Sequence, residues 1–466
     1  MERGAPATFV ADAVERRVMA VDDVVGRLRR DDLFDGDGDF VSGNLLPPRH
    51  GDAAEPRPDR PSDHAPIDAL SGRRGVPLHA DCRDLIRRSG FDLVAVTPAV
   101  DSNGIANLVR WIELGYAAEM DYFARRIHAY EHPRGVLPGC RSLVVMTLPY
   151  DGDPPAGPRE GDRRVAGHGR VARYAWSGLD YHDVVHRRLR PMRRLIADRH
   201  SGATSRVVVD TAPLLEREVA AAAGIGWRGK NTLLLNKSRG SYFLLACVLI
   251  DAELSPELPL MPFAAADPAG HCGTCTACLD ACPTDAFAAP GVLDAGRCIS
   301  YLTIEHRGSI ERDLRSSIGD WIFGCDVCQE VCPWNRGGSP PPDVGLTGSL
   351  RTIDAVGVFE MDDEEFRQRF RPTALWRPRR RGLLRNAAIV IGNTNPPGGE
   401  KALRVGMATD DPVIREAAAW AWGRIRPTGG LDALRMWLTA ETDPMVVTEL
   451  TLAIEQWTVA IQPPAR

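Results

Sequence analysis

Four cysteines in Cys272-Gly-Thr-Cys275-Thr-Ala-Cys278-Leu-Asp-Ala-Cys282-Pro283 constrain this chain more than any other feature. A second set follows, Cys298 and then Cys325-Asp-Val-Cys328-Gln-Glu-Val-Cys332-Pro333, so that eight of the eleven cysteines lie between residues 272 and 332. Eleven are too few for a disulfide scaffold of 466 residues, and clustering of this kind points to metal rather than bridges. Three thiolates on one tight loop hold three irons of a cubane, while the fourth, starting the helix after the loop, points toward a neighbouring cluster. That geometry assigns Cys272, Cys275, Cys278 and Cys332 to one [4Fe–4S] cluster, and Cys282, Cys298, Cys325 and Cys328 to another. Zinc is the alternative, since C-x2-C pairs are also zinc-finger elements. Two four-cysteine zinc sites, however, need neither the three-cysteine loop nor the terminal Cys-Pro. Cys82, Cys140 and Cys247 stand alone in apolar surroundings and are expected in the core.

Around this insert the composition is that of an ordinary globular protein, 44% apolar and 26% charged. The longest apolar run, residues 242–250, is far short of the ~20 residues a membrane helix requires. With Glu2 and Glu15 bracketing a start that has no apolar h-region, no secretory signal is expected, and the location expected is cytoplasmic. The net charge of −5 argues against generic polyanion binding, yet charge is uneven along the chain. Five Asp fall within residues 31–39, whereas Arg371, Arg377, Arg379, Arg380, Arg381 and Arg385 have no acid between them. The first run reads as a solvated tail. The second is a candidate anion site or, equally, a solvated arginine face at a domain junction.

Four segments are expected. Residues 1–76, rich in Asp and Pro, form an extension expected to be mostly disordered, with a short helix over 11–30. In residues 77–264, strands at 93–97, 142–148, 207–209 and 243–250 alternate with helices at 78–89, 105–125, 181–199 and 214–223, which indicates an α+β or α/β domain. Residues 151–169 make a long Gly- and Pro-rich loop suited to lying over a ligand. Residues 265–343 hold the cysteines and end in the Pro-rich link 339–343. Residues 344–466 are helical, and Asp411-Pro412-Val413 and Asp443-Pro444-Met445, 32 residues apart, suggest HEAT-like stacking, with a plain helical cap as the alternative.

Two adjacent clusters make a one-electron relay, and a relay needs a terminus. Gly224-Ile-Gly226-Trp-Arg-Gly229 fits a dinucleotide fingerprint by letters but follows a helix rather than a strand, so that reading is weak. The residues alone reach an iron–sulfur oxidoreductase with an unassigned active-site cofactor.

Further motifs carry a resemblance. They are His132-Pro133-Arg134 with Leu137-Pro138-Gly139, Arg173-Tyr174-Ala175-Trp176 with Asp180-Tyr181-His182, and Val209-Asp210-Thr211-Ala212-Pro213-Leu214-Leu215-Glu216-Arg217. Gly226-Trp227-Arg228-Gly229-Lys230-Asn231, Cys298-Ile299-Ser300-Tyr301 through His306-Arg307-Gly308, and Trp321-Ile322-Phe323-Gly324-Cys325 complete the set. In this order the chain resembles the epoxyqueuosine reductases, cobalamin-dependent iron–sulfur enzymes of tRNA modification. It departs from them in its long N-terminus, at His128 and His132, and around Ser177-Gly178-Leu179.

The resemblance implies a nitroreductase-like cobalamin-binding α/β domain, a ferredoxin-like two-cluster domain and a C-terminal HEAT-like domain, within an overall α+β class. It implies reduction of the epoxide of epoxyqueuosine at the tRNA wobble position, with electrons passing from an unidentified low-potential donor through both clusters to cobalamin. Opening the epoxide leaves an oxyanion that needs a proton, and Asp210 matches the family's proton donor. A carboxyl acting as an acid near neutral pH needs a raised pKa, which burial beside the corrin edge would provide. From the residues alone, Asp210 is as readily a cap of the helix that follows. Arg134, Lys230, Asn231 and Ser300 are candidate cofactor contacts; Tyr174, Trp176 and Tyr181 line the cofactor or belong to the core. His182 is not expected to ligate cobalt, because the D-x-H-x-x-G motif is absent. Arg307, Arg379, Arg380 and Arg381, near Trp376, are candidate tRNA contacts. A monomer is expected. The alternatives are a small-molecule cobalamin reductase of the reductive-dehalogenase kind and a ferredoxin-type electron carrier.

Overall fold

The computed structural model describes residues 75–150, 165–256, 271–336, 346, 348 and 350–461. The N-terminal extension, the loop at 151–164 and the link at 339–343 lie outside them. The strands that position the site are β1 (Asp92–Pro98), β2 (Ser142–Pro149), β3 (His168–Val171), β4 (Ser205–Val208), β5 (Phe243–Ile250), β6 (Trp321–Phe323) and β7 (Thr352–Asp354).

The principal sheet runs β1-β2-β5-β4, every pair antiparallel, with Val145 opposite both Ala95 and Cys247, and Cys247 opposite Val208. All eight residues of β2 are buried, because both faces of the sheet are covered. The alternation of a strand divides them. Val144, Met146 and Leu148 face the helices Ala80–Arg88 and Tyr181–Arg199 through Ile86, Val185, Leu189 and Met192. Leu143 and Val145 face Val136, Cys140, Leu214 and the helix Glu216–Ala222. Cys82, Cys140 and Cys247 are wholly buried in these layers, as expected, and burial pushes the first two thiols up to about 11.

The helix expected over 105–125 is interrupted. Ile105–Glu113 ends where Gly115 takes φ +75°, and short helices follow at Tyr122–Arg125 and Ile127–Tyr130. The dinucleotide fingerprint indeed follows a helix, and its Gly226 is needed because a Cβ there would lie 2.1 Å from the Leu235 carbonyl oxygen.

The segment boundaries expected at 264 and 343 cut through shared structure. β3 pairs in parallel with β6 and antiparallel with β7, so one small sheet takes a strand from each segment. Residues 66–466 form one compact unit. Its central helix, Arg379–Thr394, is buried from Gly382 to Gly392 and carries two buried polar side chains that staple the cysteine-bearing segment to it. Asn386 Nδ2 donates to Thr303 O and Ile322 O at 2.8 and 3.0 Å; Arg385 donates to Leu302 O, Gly308 O and His306 O at 2.5, 2.7 and 2.9 Å. Arg385 is thus a structural residue and not part of an exposed anion site, a correction to the arginine stretch read from sequence.

Beyond it, helices Gly399–Met407, Pro412–Ile425, Gly430–Ala440 and Pro444–Ile461 stack in pairs. The 32-residue repeat is a repeat of caps: Asp411 accepts from Val413 N and Asp443 from Met445 N, each at 2.9 Å, with Pro at the first helical position. No helix among the described residues is long and apolar enough to cross a membrane.

Candidate functional site

Asp210 lies two residues beyond the end of β4 in the left-handed region, φ +59°, a conformation that costs a non-glycine residue roughly 1 kcal/mol or more and persists only when its surroundings enforce it. Three contacts do so here. Its backbone N–H donates to Glu216 Oε1 at 2.7 Å, Tyr181 Oη donates to its Oδ2 at 2.7 Å, and His182 Nε2 lies 3.9 Å from the same oxygen. Asp210 does not cap the helix that follows, whose N-terminus has no side-chain cap. Nor does the protein bury it: its side chain is 68% exposed.

The groups behind Asp210 are buried or half-buried. Burial, and then the neighbouring Asp210 charge, push Glu216 up to about 8. The same two causes hold the Tyr181 and Tyr174 hydroxyls well above the ordinary tyrosine range, so both remain protonated donors. Burial works to raise Asp180, but its side-chain and backbone hydrogen bonds to His182, both at Asp180 Oδ1, outweigh it and keep the carboxyl ionised. His182 Nδ1 is 2.8 Å from Asp180, while its Nε2 is buried with no hydrogen-bond partner and faces Asp210.

The opposite wall of this cleft comes from the later segments. Tyr122, pushed up to about 12 by burial and Glu305, also feels Arg377 and Asp210. Arg377 grips Glu305 through two parallel bonds, Nε to Oε1 at 2.9 Å and Nη2 to Oε2 at 3.0 Å. Tyr174 feels both Asp210 and Asp326, the latter inside the second cysteine loop. Asp326 accepts the Arg173 backbone N–H at 2.7 Å, which fixes the Arg173-Tyr174 turn onto that loop. The Tyr174 ring thus stands between Asp210 and that loop, 5.6 Å from Tyr181, which donates to Asp210, and 6.1 Å from Phe323, two residues before Cys325.

The charge effects among the cysteines link them in two neighbouring groups. Burial pushes the Cys278 thiol up to about 11, followed by Cys332, Cys272 and Cys275. Cys325 is raised by burial and then by Cys298 and Cys282, and Cys328 by burial and then by Cys325 and Cys298. Cys328 also feels Cys278, so the sets are neighbours. Bonds of about 2.3 Å to one zinc ion would bring four sulfurs within about 4 Å of one another. No three Cys, His, Asp or Glu among the described residues converge on a single ion. Four thiolates in one group fit an iron cubane, with an iron at each corner. Gln329 and Asn335 clamp the second cysteine loop to the sheet domain through Ser241, with Gln329 Nε2 donating to Ser241 Oγ at 3.0 Å and Ser241 N donating to Asn335 Oδ1 at 2.7 Å.

The remaining expected residues divide. Lys230 and Asn231 reach the cysteine loops, Lys230 Nζ donating to Gly273 O and Cys275 O, and Asn231 Nδ2 to Cys328 O. The Ser300 backbone stands beside Cys298, lowering a thiol that burial raises. Arg134 lies across its own turn, Nε donating to Cys140 O at 3.4 Å. Neither Ser300 nor Arg134 forms a hydrogen bond or ion pair with Asp210 among the described residues. For a large cofactor fringed with amides, the cleft offers an exposed carboxylate, an unpartnered buried imidazole nitrogen and aromatic walls, a set that fits such a group.

Arg307, Arg379 and Arg381 are exposed and close enough to repel one another electrostatically. Arg307 Nη1 donates to Arg377 O at 2.9 Å, Arg379 lies 4.5 Å over the Trp376 ring, and Arg381 pairs with Asp411 at 2.6 Å. Arg380 turns back, donating to Met361 O at 2.8 Å. Sequence reasoning missed Glu216, Glu305 and Tyr122. For Glu216 a signal existed, a second carboxyl six residues after Asp210 within the same motif.

Residues 271–335 match the family described as 4Fe-4S double cluster binding domain, residues 131–211 that described as Epoxyqueuosine reductase QueG, DUF1730, and residues 379–455 HEAT repeats. The chain is similar to the epoxyqueuosine reductase of Pseudomonas aeruginosa, 39% identical over 367 residues, which cover 77% of this chain and 97% of that protein. With the epoxyqueuosine reductase of Escherichia coli it shares 34% identity over 336 residues, 71% of this chain and 85% of that one. A crystal structure of epoxyqueuosine reductase with an epoxyqueuosine-modified tRNA-Tyr stem loop matches at a TM-score of 0.72 and 28% identity, over 84% of this chain and 100% of that chain.

Proposed function

The chain belongs to the epoxyqueuosine reductase family, and from that membership we propose that it reduces the epoxide of epoxyqueuosine, carried at the wobble position of a tRNA anticodon, to the alkene of queuosine. Two electrons and two protons enter, both carbon–oxygen bonds of the epoxide break, and its oxygen leaves as water. When bound, the two [4Fe–4S] clusters and cobalamin supply single electrons at low potential, drawn from a separate donor protein.

The chain's own residues bind, orient and protonate. Cys272, Cys275, Cys278 and Cys332 would hold one cluster and Cys282, Cys298, Cys325 and Cys328 the other. The residues around Asp210, together with Arg134, Lys230, Asn231 and Ser300, would hold the corrinoid. Asp210 delivers a proton to the epoxide oxygen; Tyr181 fixes its Oδ2, leaving Oδ1 without a hydrogen bond among the described residues. His182 Nε2, facing the same carboxyl, is placed to return a proton after turnover. Arg307, Arg379 and Arg381 meet the phosphates of the anticodon stem-loop. The segments 77–264, 265–343 and 344–466 then divide catalysis, electron delivery and RNA binding, in a cytoplasmic monomer.

The observation that supports this reading is the packing of Tyr174, whose ring lies 5.6 Å from Tyr181, the donor to Asp210, and 6.1 Å from Phe323, two residues before Cys325, so that the proton donor and the second cysteine loop flank one side chain. The test is anaerobic. Clusters are reconstituted, cobalamin and a low-potential reductant are added, and an epoxyqueuosine-bearing stem-loop is followed by mass spectrometry. Cobalamin-dependent loss of one oxygen is the expected result. Intact clusters and bound corrinoid without that loss would overturn it.

A further inference from the structure

Two consecutive side chains of the Gly229-Lys230-Asn231 turn reach the two cysteine loops. Lys230 is 8% exposed, and its ammonium donates to Gly273 O at 2.6 Å and Cys275 O at 3.0 Å. Its own carbonyl accepts from Gly291 N–H at 2.8 Å, so backbone and side chain are both fixed. Asn231, 3% exposed, donates from Nδ2 to Cys328 O at 3.4 Å on the other loop, while Leu233 N–H donates to its Oδ1 at 3.3 Å. The first loop thus receives a full positive charge and the second a neutral amide.

A buried cation is costly unless an anion compensates it. No carboxylate among the described residues pairs with Lys230, and two carbonyl dipoles are only a partial answer. The compensating anion is the cluster that this loop holds. Four thiolates around a [4Fe–4S] core carry a net charge of about −2, and about −3 after reduction.

We propose that Lys230 raises the reduction potential of the cluster held by Cys272, Cys275, Cys278 and Cys332 and makes it the first of the two to take an electron. This rests on the cluster reading above and deepens it. The fixed cation stabilises the more negative, reduced state more than the oxidised one. In the step itself one electron leaves an external low-potential donor protein and enters the cluster, and no bond to Lys230 forms. Cys275 is exposed, so this charge lies beside the loop that a docking donor reaches. Asn231 offers the second cluster no such charge. Lys230 is a positioning residue for charge, not a catalytic one.

The test is an anaerobic, EPR-monitored potentiometric titration of the reconstituted full-length protein, with iron and sulfide measured on the same samples. Cys275→Ser identifies which couple belongs to the first set. In Lys230→Gln, whose amide donates to the same carbonyls without charge, that couple is expected to move to more negative potential while the other stays, and Lys230→Arg is expected to restore it. An unmoved couple in Lys230→Gln at full iron content reduces the lysine to a loop clamp and overturns the proposal. So does a wild-type protein in which the first set is the lower-potential couple, an outcome that needs no Lys230 variant. A wild-type protein with no cubane signal overturns the underlying cluster reading as well, and its iron content tells the two failures apart.

Discussion

Tyr181 Oη donates to Asp210 Oδ2 at 2.7 Å, and the tyrosine, raised by burial and by the Asp210 charge, stays a donor throughout the neutral range. The pair orients a carboxyl that is otherwise open to solvent on a backbone already strained to φ +59°. Asp210→Asn keeps the shape and removes the acid. Its turnover is expected to fall by about 10²–10⁴, the usual weight of a general acid, with iron and corrinoid content unchanged. Tyr181→Phe, which removes one hydrogen bond to a charged group, is expected to cost about tenfold in kcat. Single-turnover mass spectrometry of the stem-loop measures both, and full epoxide reduction by Asp210→Asn would remove the proton-donor role.

Glu216 supports the Asp210 backbone from a half-buried position, and desolvation with the neighbouring charge raises it from 4.5 to about 8. A raised folded-state pKa means that the native state binds the proton more tightly than the unfolded chain does. Its contribution to stability is complete below pH 4.5 and is lost as pH rises through about 8. Glu216→Gln, which mimics the protonated form, should flatten the alkaline side of the stability profile. Urea unfolding midpoints from pH 5 to pH 9 read this directly, and parallel profiles for the two proteins would show that Glu216 is not the group responsible.

The sequence made some parts of this site legible and hid others for physical reasons. Cysteine spacing is local, so loops of x2, x2 and x3 reveal a cubane without tertiary information. The buried strands announced themselves too, because β2 and β5 are apolar on both faces. The arginines of 371–385 look alike in sequence, yet Arg385 lies on the inward face of a central helix bound to three carbonyls while Arg379 lies outside on Trp376. Lys230 and Asn231 form a polar turn whose partners are 43 and 97 residues away, which no local pattern encodes. The pairing of β3 with strands of later segments was hidden for the same reason.

Arg315 joins the cysteine-bearing segment to the helical repeats from a position only 2% exposed. It pairs with Glu416 and, at 3.1 Å, with Glu449, both carboxylates also buried, while Arg312 shares Glu449 at 3.0 Å. Truncating one partner of a buried network leaves uncompensated charge and typically costs about 3–5 kcal/mol. Arg315→Met should therefore lower the unfolding midpoint sharply. Adding Glu416→Gln and Glu449→Gln to it should recover most of the loss, because the orphaned charges are gone. If the triple variant is as unstable as the single one, packing rather than charge sets the cost.

Arg307, Arg379 and Arg381 give the RNA reading its measurable content. Burial lowers Arg307, and after Glu305, which opposes that shift, Arg377, Arg379 and Arg381 depress it further, so these cations share one small area of surface. Phosphate is the ligand that relieves such repulsion. Each contact to a single-stranded loop contributes about 0.7 to the slope of log affinity against log salt. Arg307→Ala and Arg379→Ala should each weaken stem-loop binding and flatten that slope by about 0.7, with kcat at saturating stem-loop unchanged. Arg380→Ala should do less, since Arg380 is turned back onto Met361 O and lies 3.4 Å from Asp363. Fluorescence anisotropy at a series of salt concentrations separates the outcomes: a lower slope in the first two variants assigns their charges to phosphate contacts, whereas an unchanged slope with unchanged affinity moves the RNA to a different face of the protein.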